Sequence, residues 1–443
     1  MRLPPHVTAA LERLEGAGLA AFVVGGCVRD ALMGREPHDW DIATSAKPAR
    51  VKELFADSKV LETGIRHGTL TVLGAEGPLE VTTFRSEGDY LDARRPASVT
   101  FIARIEDDLA RRDFTMNALA FNPRTGLVDP FGGRADIERR LIRSVGDADE
   151  RLREDALRIM RALRFSATLD LTLDAALDRQ LRKNRQQLAH IAAERTGDEL
   201  LRMLVGPRIL PVLLTYPDVL AVLVPEIAPA IGHGQRSVYH RYDIWEHTAH
   251  AVACARPEPP VRLALLMHDL GKPDTFFIGE DGQGHFYGHD KRGEELARAR
   301  LKALRFPREL QDCVAALVRD HQKPLTPQSM LRWLNRLGER QLRLLIEVKR
   351  GDIAAHADDV VERGLAELRL CEERLDELVA QRACFSLRDL AVNGKDLLAA
   401  GVPPGREVGR VLACLLDAVM DGEVANTRED LLALSSKFVR PRA

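Results

Sequence analysis

The stretch GGCVRDALMGREPHDWDIAT, from Gly25 to Thr44, sets two adjacent glycines, an Arg-Asp pair, and then Asp39 and Asp41 around a single tryptophan. It follows AAFVV, which reads as a buried strand running into the glycines. Without a Cβ at Gly25 and Gly26, the backbone can turn tightly and bring its N–H groups close to phosphate oxygens. A helix starting there aims its positive end at the same anion. Arg29 adds a charge-assisted contact, with Asp30 as its support. On a strand, residues two apart share a face, so Asp39 and Asp41 are expected to present paired carboxylates. Hard divalent cations such as Mg²⁺ take oxygen ligands, and two of them about 3.5–4 Å apart can clamp the attacking and leaving oxygens of nucleotidyl transfer. Glu80, in the alternating strand LEVTTFR, is the candidate third acid from a neighbouring strand. Alone, a DxD is usually surface decoration and a GG a turn. Their conjunction with strand and helix predicts a triphosphate site.

Outward from this stretch, Val7, Leu11 and Leu14 recur at helical spacing, and TLTVLG and LEVTTFR read as two strands joined by the turn AEGP. Beyond Asp129 the pattern is helical almost throughout. The expected fold class is α+β, a mixed-sheet head followed by an all-α remainder. Breaks at PEPP (257–260), GEDGQG (279–284) and GVPPG (401–405) help divide it. The expected parts are a head (1–125), a helical neck and body (126–230), a histidine-rich module (231–355) and a helical tail (356–443). Hydrophobic residues make up 45% of the 443 and charged ones 29%, with net charge -2, so disorder is excluded and any basic surface must be local. Six scattered cysteines form no CxxC pair, which argues against a disulfide framework and fits a reducing cytoplasm. No apolar run approaches the roughly 18 residues of a membrane helix.

Three further motifs follow: DLARRDFTMNALAFN (108–122), VDPFGGRADI (128–137) and REDALRIMRALRF (153–165). With the opening stretch they resemble, in order and spacing, the bacterial tRNA nucleotidyltransferase (CCA-adding) and poly(A) polymerase family, class II. The resemblance covers about the first 205 residues. It implies a palm-like head with tRNA lying along helical neck, body and tail. It implies that Arg111, Arg112, Asp113 and Asn117 hold the sugar and phosphates of the nucleotide, and that Asp155 and Arg158 pair with the base edge in place of a template. Glu154 and Arg161 are expected to fix that pair, with Glu154, Asp155 and Arg158 close to one helix face. The loop SEGDYLDARRPASV (86–99) is similar to one that helps full CCA enzymes switch from C to A. The segment LDRQLRKNRQQLAH (177–190), and Lys395, Arg406 and Arg410 around the tail's PPG turn, are candidate contacts to RNA phosphates, with a solvated face the plainer alternative for the first. Arg195 and Glu199 are expected to hold neck to body.

The middle of the chain carries HTAH (247–250), LLMHDLGKP (265–273), GHFYGHD (284–290), RDH (319–321) and RGDIAAH (350–356). His247, His268, Asp269, His289, His321 and Asp352 stand out. Imidazole with carboxylate suits Mn²⁺, Fe²⁺, Co²⁺, Ni²⁺ or Zn²⁺, and ligand type leaves the ion's identity open. A charged dyad inside an apolar helix needs a compensating partner. The module resembles the HD metal-dependent phosphohydrolases. By that resemblance His247, His268, Asp269 and Asp352 are the basic ligand set, His289 and His321 belong to two-metal members, and Lys272 could bind substrate phosphate.

Together these readings predict template-independent addition of CCA to tRNA from CTP and ATP with Mg²⁺, plus a second divalent metal at an HD site for phosphoester hydrolysis. No membrane or DNA partner is expected. The alternatives are an A-adding enzyme or poly(A) polymerase, and an HD phosphohydrolase whose head merely grips RNA.

Overall fold

Continuous apolar sequence makes an inner strand of the head sheet, and two three-residue segments extend the sheet beyond what periodicity announces. In the computed structural model, which describes residues 1–443 except 38, 75, 88–98, 238–239 and 439–443, the first strands are β1 (Ala21–Val24), β2 (Asp41–Thr44), β3 (Lys59–Gly64), β4 (Thr69–Gly74) and β5 (Gly77–Thr83). They are followed by β6 (Arg85–Glu87), β7 (Val99–Phe101), β8 (Ala120–Asn122) and β9 (Gly126–Val128). Among the described residues, seven of these form one sheet in the order β3-β4-β5-β2-β1-β8-β9. β2 lies parallel to β5 and antiparallel to β1, placing Asp41 beside Glu80. The fold class is α+β, as expected. β3, β8 and β9 were not legible, because β8 and β9 are three residues long and lie among turn-forming residues.

The chain divides into two compact units, residues 1–228 with 303–306, and residues 229–302 with 307–443. In the first, the helix Pro5–Gly16 buries Val7, Leu11 and Leu14, the stripe its spacing predicted. Val24, Ala43, Phe84, Leu109, Ala118 and Ala120 form a core joining the sheet to the RRDFT region. The helices Ala148–Glu154, Leu157–Leu169 and Ala193–Leu204 follow. The basic helix Ala175–Asn184 buries Leu177 and Leu181, while Arg182 pairs with Asp218 and Lys183 with Asp149. In the second unit, the helices Ile244–Cys254, Pro259–Met267, Arg308–Asp320 and Met330–Ala354 pack together. The tail helices Gly394–Ala399, Arg406–Met420 and Arg428–Phe438 share a core of Leu397, Val411, Leu415 and Leu431. Residues 88–98, most of the loop expected to aid nucleotide switching, lie outside the described residues.

Candidate functional site

The chain leaves β1 at Val24 and turns at Gly25, where φ is +74° and ψ −124°. A Cβ there would sit 2.7 Å from a guanidinium nitrogen of Arg112, so glycine lets that arginine lie against the turn. The helix Gly26–Leu32 follows and carries Arg29 inward. Arg29 donates to Asp30 at 2.8 Å and to the Asn117 side-chain oxygen at 2.7 Å. Asp30 thus supports Arg29, as expected.

Asp41 opens β2 and lines the same cavity as Gly25 and Gly26. Burial, then Glu80 and Asp39, push its carboxyl up to about 6, against the opposing pull of Arg112. Three acids crowded in this way fit a divalent cation with oxygen ligands. Asp39 differs from expectation. It is exposed and precedes β2, so strand alternation does not place it, although its charge acts on Asp41.

Asp113 is the hub of the RRDFT region. One carboxylate oxygen accepts from Phe114 N at 2.7 Å and Asn117 Nδ2 at 3.0 Å. The other accepts from Arg161 Nε at 2.9 Å and Nη2 at 2.6 Å. Burial alone would raise the Asp113 carboxyl, but Arg161 and these hydrogen bonds outweigh it and hold it at about 2. Arg111 bonds Asp108 at 2.8 Å and the Arg85 carbonyl, and Arg112 lies 3.5 Å from Asp108. VDPFGGRADI buttresses this region. Asp129 accepts from Gly133 N and Arg134 N, and Asp136 accepts from Thr115 Oγ1 at 2.5 Å.

The helix expected through REDALRIM is broken. Asp155 is extended, at φ −144° and ψ 101°, between Ala148–Glu154 and Leu157–Leu169. Its oxygens accept from Leu157 N at 3.0 Å and Arg195 Nη2 at 2.9 Å. Arg158 donates to Glu154 at 2.6 Å and to the Arg151 carbonyl at 2.7 Å. Glu154 therefore fixes Arg158, whereas Arg161 holds Asp113 instead of the Asp155–Arg158 pair. Arg195 takes the place expected of Arg161, and Glu199 pairs with Arg164 at 2.5 Å.

Gly25, Gly26, Arg29, Asp41, Arg111, Arg112, Asp113, Asn117, Asp155, Arg158 and Arg161 line one cavity of about 670 Å³, the size of a small-molecule site. Glu80 and Asp39 are not among its lining residues. Sequence reasoning assigned no role to Phe165, whose ring also lines the cavity, with the guanidiniums of Arg29, Arg161 and Arg164 at 5.1, 5.5 and 4.0 Å from its centroid. The signal was present: Arg161, Arg164 and Phe165 stand three and four apart on one helix. His67 and Arg85 line the cavity too. In the tail, Arg410 is engaged by Glu407 and the Phe438 carbonyl, while Lys395 lines a recess with Asn393 and Gly405.

The second unit gathers the six predicted histidines and aspartates. His247 Nε2 lies 2.9 Å from Asp352 Oδ1 and 3.8 Å from Asp269 Oδ2, and His268 Nε2 lies 3.2 Å from Asp269 Oδ2. Asp269 Oδ1 faces His289 at 3.5 Å and His321 at 3.9 Å. His268, His289 and His321 each turn Nδ1 to the carbonyl three residues earlier, at 2.7, 2.8 and 2.6 Å, and His247 turns Nδ1 to the Ala355 carbonyl. Those bonds put a proton on Nδ1 and turn each Nε2 inward toward the aspartates, the atom a metal would take in place of the Nε2 proton. Buried His268 Nε2 has no hydrogen-bond partner. The donor set fits a transition-metal cation. His268 ends the helix Pro259–Met267, so the dyad lies at a helix terminus and not inside the helix. Lys272 is buried and bonds Asp269 at 2.7 Å and Gln235 at 2.8 Å, so it compensates the dyad and does not face solvent.

Family models match three segments: "Poly A polymerase head domain" over residues 21–143, "Probable RNA and SrmB- binding site of polymerase A" over 170–231, and tRNA nucleotidyltransferase domain 2 over 290–434. The chain is 37% identical to the CCA-adding enzyme of Geobacillus thermodenitrificans over 96% of its own length and 94% of the relative's. It is 36% identical to that of Geobacillus stearothermophilus over the same shares. The solved structure of the Bacillus stearothermophilus CCA-adding enzyme in complex with CTP superposes at TM-score 0.73 and 31% identity, covering 98% of both chains. Among the described residues no helix is long and apolar enough to cross a membrane.

Proposed function

We propose a template-independent tRNA nucleotidyltransferase that adds C, C and A from CTP and ATP, proceeding from the fact that this chain belongs to the CCA-adding enzyme family. The observation that carries the reading is the single cavity where the glycine turn, Asp41 and the Asp155–Arg158 pair meet. Residues 1–125 serve as head, 126–230 as neck and body, 231–355 as HD module and 356–443 as tail, with tRNA as partner and the cytoplasm as setting.

Asp41 and Glu80, with Asp39, would hold Mg²⁺, which when bound supplies electrostatic stabilisation to the transferring phosphoryl group. Gly25 and Gly26 admit the triphosphate to the turn, and Arg29, Arg111 and Arg112 neutralise its charge. Asp113, locked by Arg161, orients Asn117 toward the ribose. Asp155 can accept from the exocyclic amine that C and A share, and Arg158 can donate to the base's ring nitrogen or carbonyl. Arg195 and Glu154 hold these two in position. The test is to incubate the protein with tRNA lacking its last three nucleotides and sequence the products with CTP alone, ATP alone and both. The expected products are CC-ended, unextended and CCA-ended tRNA. A-only or poly(A) extension would replace this reading with the A-adding one.

A second activity is favoured by one observation, the inward array of Nε2 atoms around Asp269 and Asp352. His247, His268, Asp269, His289, His321 and Asp352 would hold transition-metal ions, which when bound activate water for phosphoester hydrolysis. Lys272, 2.7 Å from Asp269, is an ion-pair partner for that buried carboxylate.

A further inference from the structure

Asp108 opens the motif DLARRDFTMNALAFN without a role of its own, yet two arginines that line the cavity of the first unit, Arg111 and Arg112, are built on it. It belongs to the helix Ile105–Ala110 and precedes Arg111 and Arg112 by three and four residues, so the three side chains share a face. The Asp108 side chain is 1% exposed, against 18% and 20% for the two arginines. A carboxylate buried that deeply needs charged partners, and it fixes those partners in return.

Its two oxygens are loaded unequally. Oδ1 accepts from Arg111 Nε at 3.0 Å, from Arg111 Nη2 at 2.8 Å and from Arg85 N at 3.2 Å. Arg111 Nε also donates to the Arg85 carbonyl at 3.1 Å, so Arg111 is fastened to the carboxylate and to β6 together. Oδ2 is buried and accepts no hydrogen bond, with Arg112 Nη2 standing 3.5 Å away. Arg112 is held loosely elsewhere too. Its Nη1 reaches the Asn117 carbonyl at 3.4 Å, and its Nε is buried without a hydrogen-bond partner. Contacts that long are weak, so Arg112 can turn onto an anion at little cost, whereas Arg111 would forfeit three bonds of 2.8–3.1 Å. We propose that Asp108 is a positioning residue for nucleotidyl transfer: it locks Arg111 in place and keeps Arg112 in a loose pair that passes to the triphosphate when a nucleotide enters.

This inference rests on the cavity taking a nucleoside triphosphate, and the experiment separates the two. CTP, CDP and CMP are titrated by calorimetry into the full chain and into its Asp108→Asn variant, each with its melting transition checked. Removing the carboxylate leaves more net positive charge beside the phosphates, so a purely electrostatic part for Asp108 would tighten CTP. Positioning predicts the reverse. CTP should weaken by about tenfold, the scale of one charge-assisted hydrogen bond, with CDP affected less and CMP little changed. The loss should shrink when Arg112→Gln is already present, because the two residues act through one contact. Tighter or unchanged CTP binding, an equal loss for all three nucleotides, or losses that add in the double variant overturn the proposal. A second measurement needs no change at Asp108. In the wild-type chain with ¹⁵N-labelled arginine, CTP should shift the Nε–H signal of Arg112 more than that of Arg111, each signal assigned by its loss in Arg112→Lys or Arg111→Lys. Equal shifts or the opposite order overturn the division between the two arginines. No CTP bound by the wild type refutes the nucleotide reading of the cavity itself.

Discussion

Gly25 holds the turn at φ +74° with an arginine packed where a side chain would begin. Gly25→Ala therefore strains the backbone by about 1–3 kcal/mol and displaces Arg112. The expected outcome is a lower melting temperature of the first unit together with weaker CTP binding, measured by calorimetry on one preparation. Asp113 sets a pH dependence. Its carboxyl lies at about 2 against an ordinary 3.8, which corresponds to about 2 kcal/mol of stability. Because the folded value is depressed, that contribution is complete above about pH 4 and is lost as pH falls toward about 2. Melting temperatures of wild type and Asp113→Asn should then differ most above pH 5 and converge as the solution is acidified. A gap unchanged between pH 5 and about 2 would remove Asp113 from the role given to it here.

At the scale of elements, the site depends on short irregular pieces braced against regular ones. The 3₁₀ turn Thr115–Asn117 is backed by the helix Gly133–Glu138, and a Cβ on Gly133 would lie 2.1 Å from the Thr115 carbonyl oxygen. Backbone cannot yield as a side-chain tip can, so Gly133→Ala should destabilise by about 1–3 kcal/mol and shift Asn117. Thermal melts with nucleotide titration report both. The helix Leu157–Leu169 presents Phe165 as a platform under Arg29, Arg161 and Arg164. Each such contact is worth about 0.5–1 kcal/mol. Phe165→Leu should weaken CTP and ATP to a similar degree, because it loosens groups on the phosphate and sugar side. Asp155→Ala should instead change the ratio between them. Competition binding with both nucleotides distinguishes the patterns, and a Phe165→Leu effect confined to one nucleotide would contradict this placement.

For the whole molecule, the cavity at the glycine turn and the histidine centre lie in different compact units. Asp41→Asn is expected to lower CCA addition by 10³-fold or more, on the order of losing an essential electrostatic group, and to leave phosphate release from a phosphoester substrate intact. Asp352→Ala should do the reverse, with both activities assayed on each variant. The fold class, the sheet strands β1, β4 and β5, the glycine turn and the residue types at both centres were determined by sequence alone, because apolar periodicity and residue chemistry act over a few neighbours. Asp113, Asn117, Arg111 and Arg112 were legible as a group through the resemblance of the motif that carries them. Which charge meets which was decided by tertiary structure. Arg161 pairs with Asp113 forty-eight residues away, Arg195 takes Asp155 across forty, and Asp41 gains Glu80 through parallel strand pairing. The helix break at Asp155 and the approach of His240 to His356 belong to the same class. A buried charge takes the partner that packing brings within about 3 Å, and that proximity has no signature in local sequence.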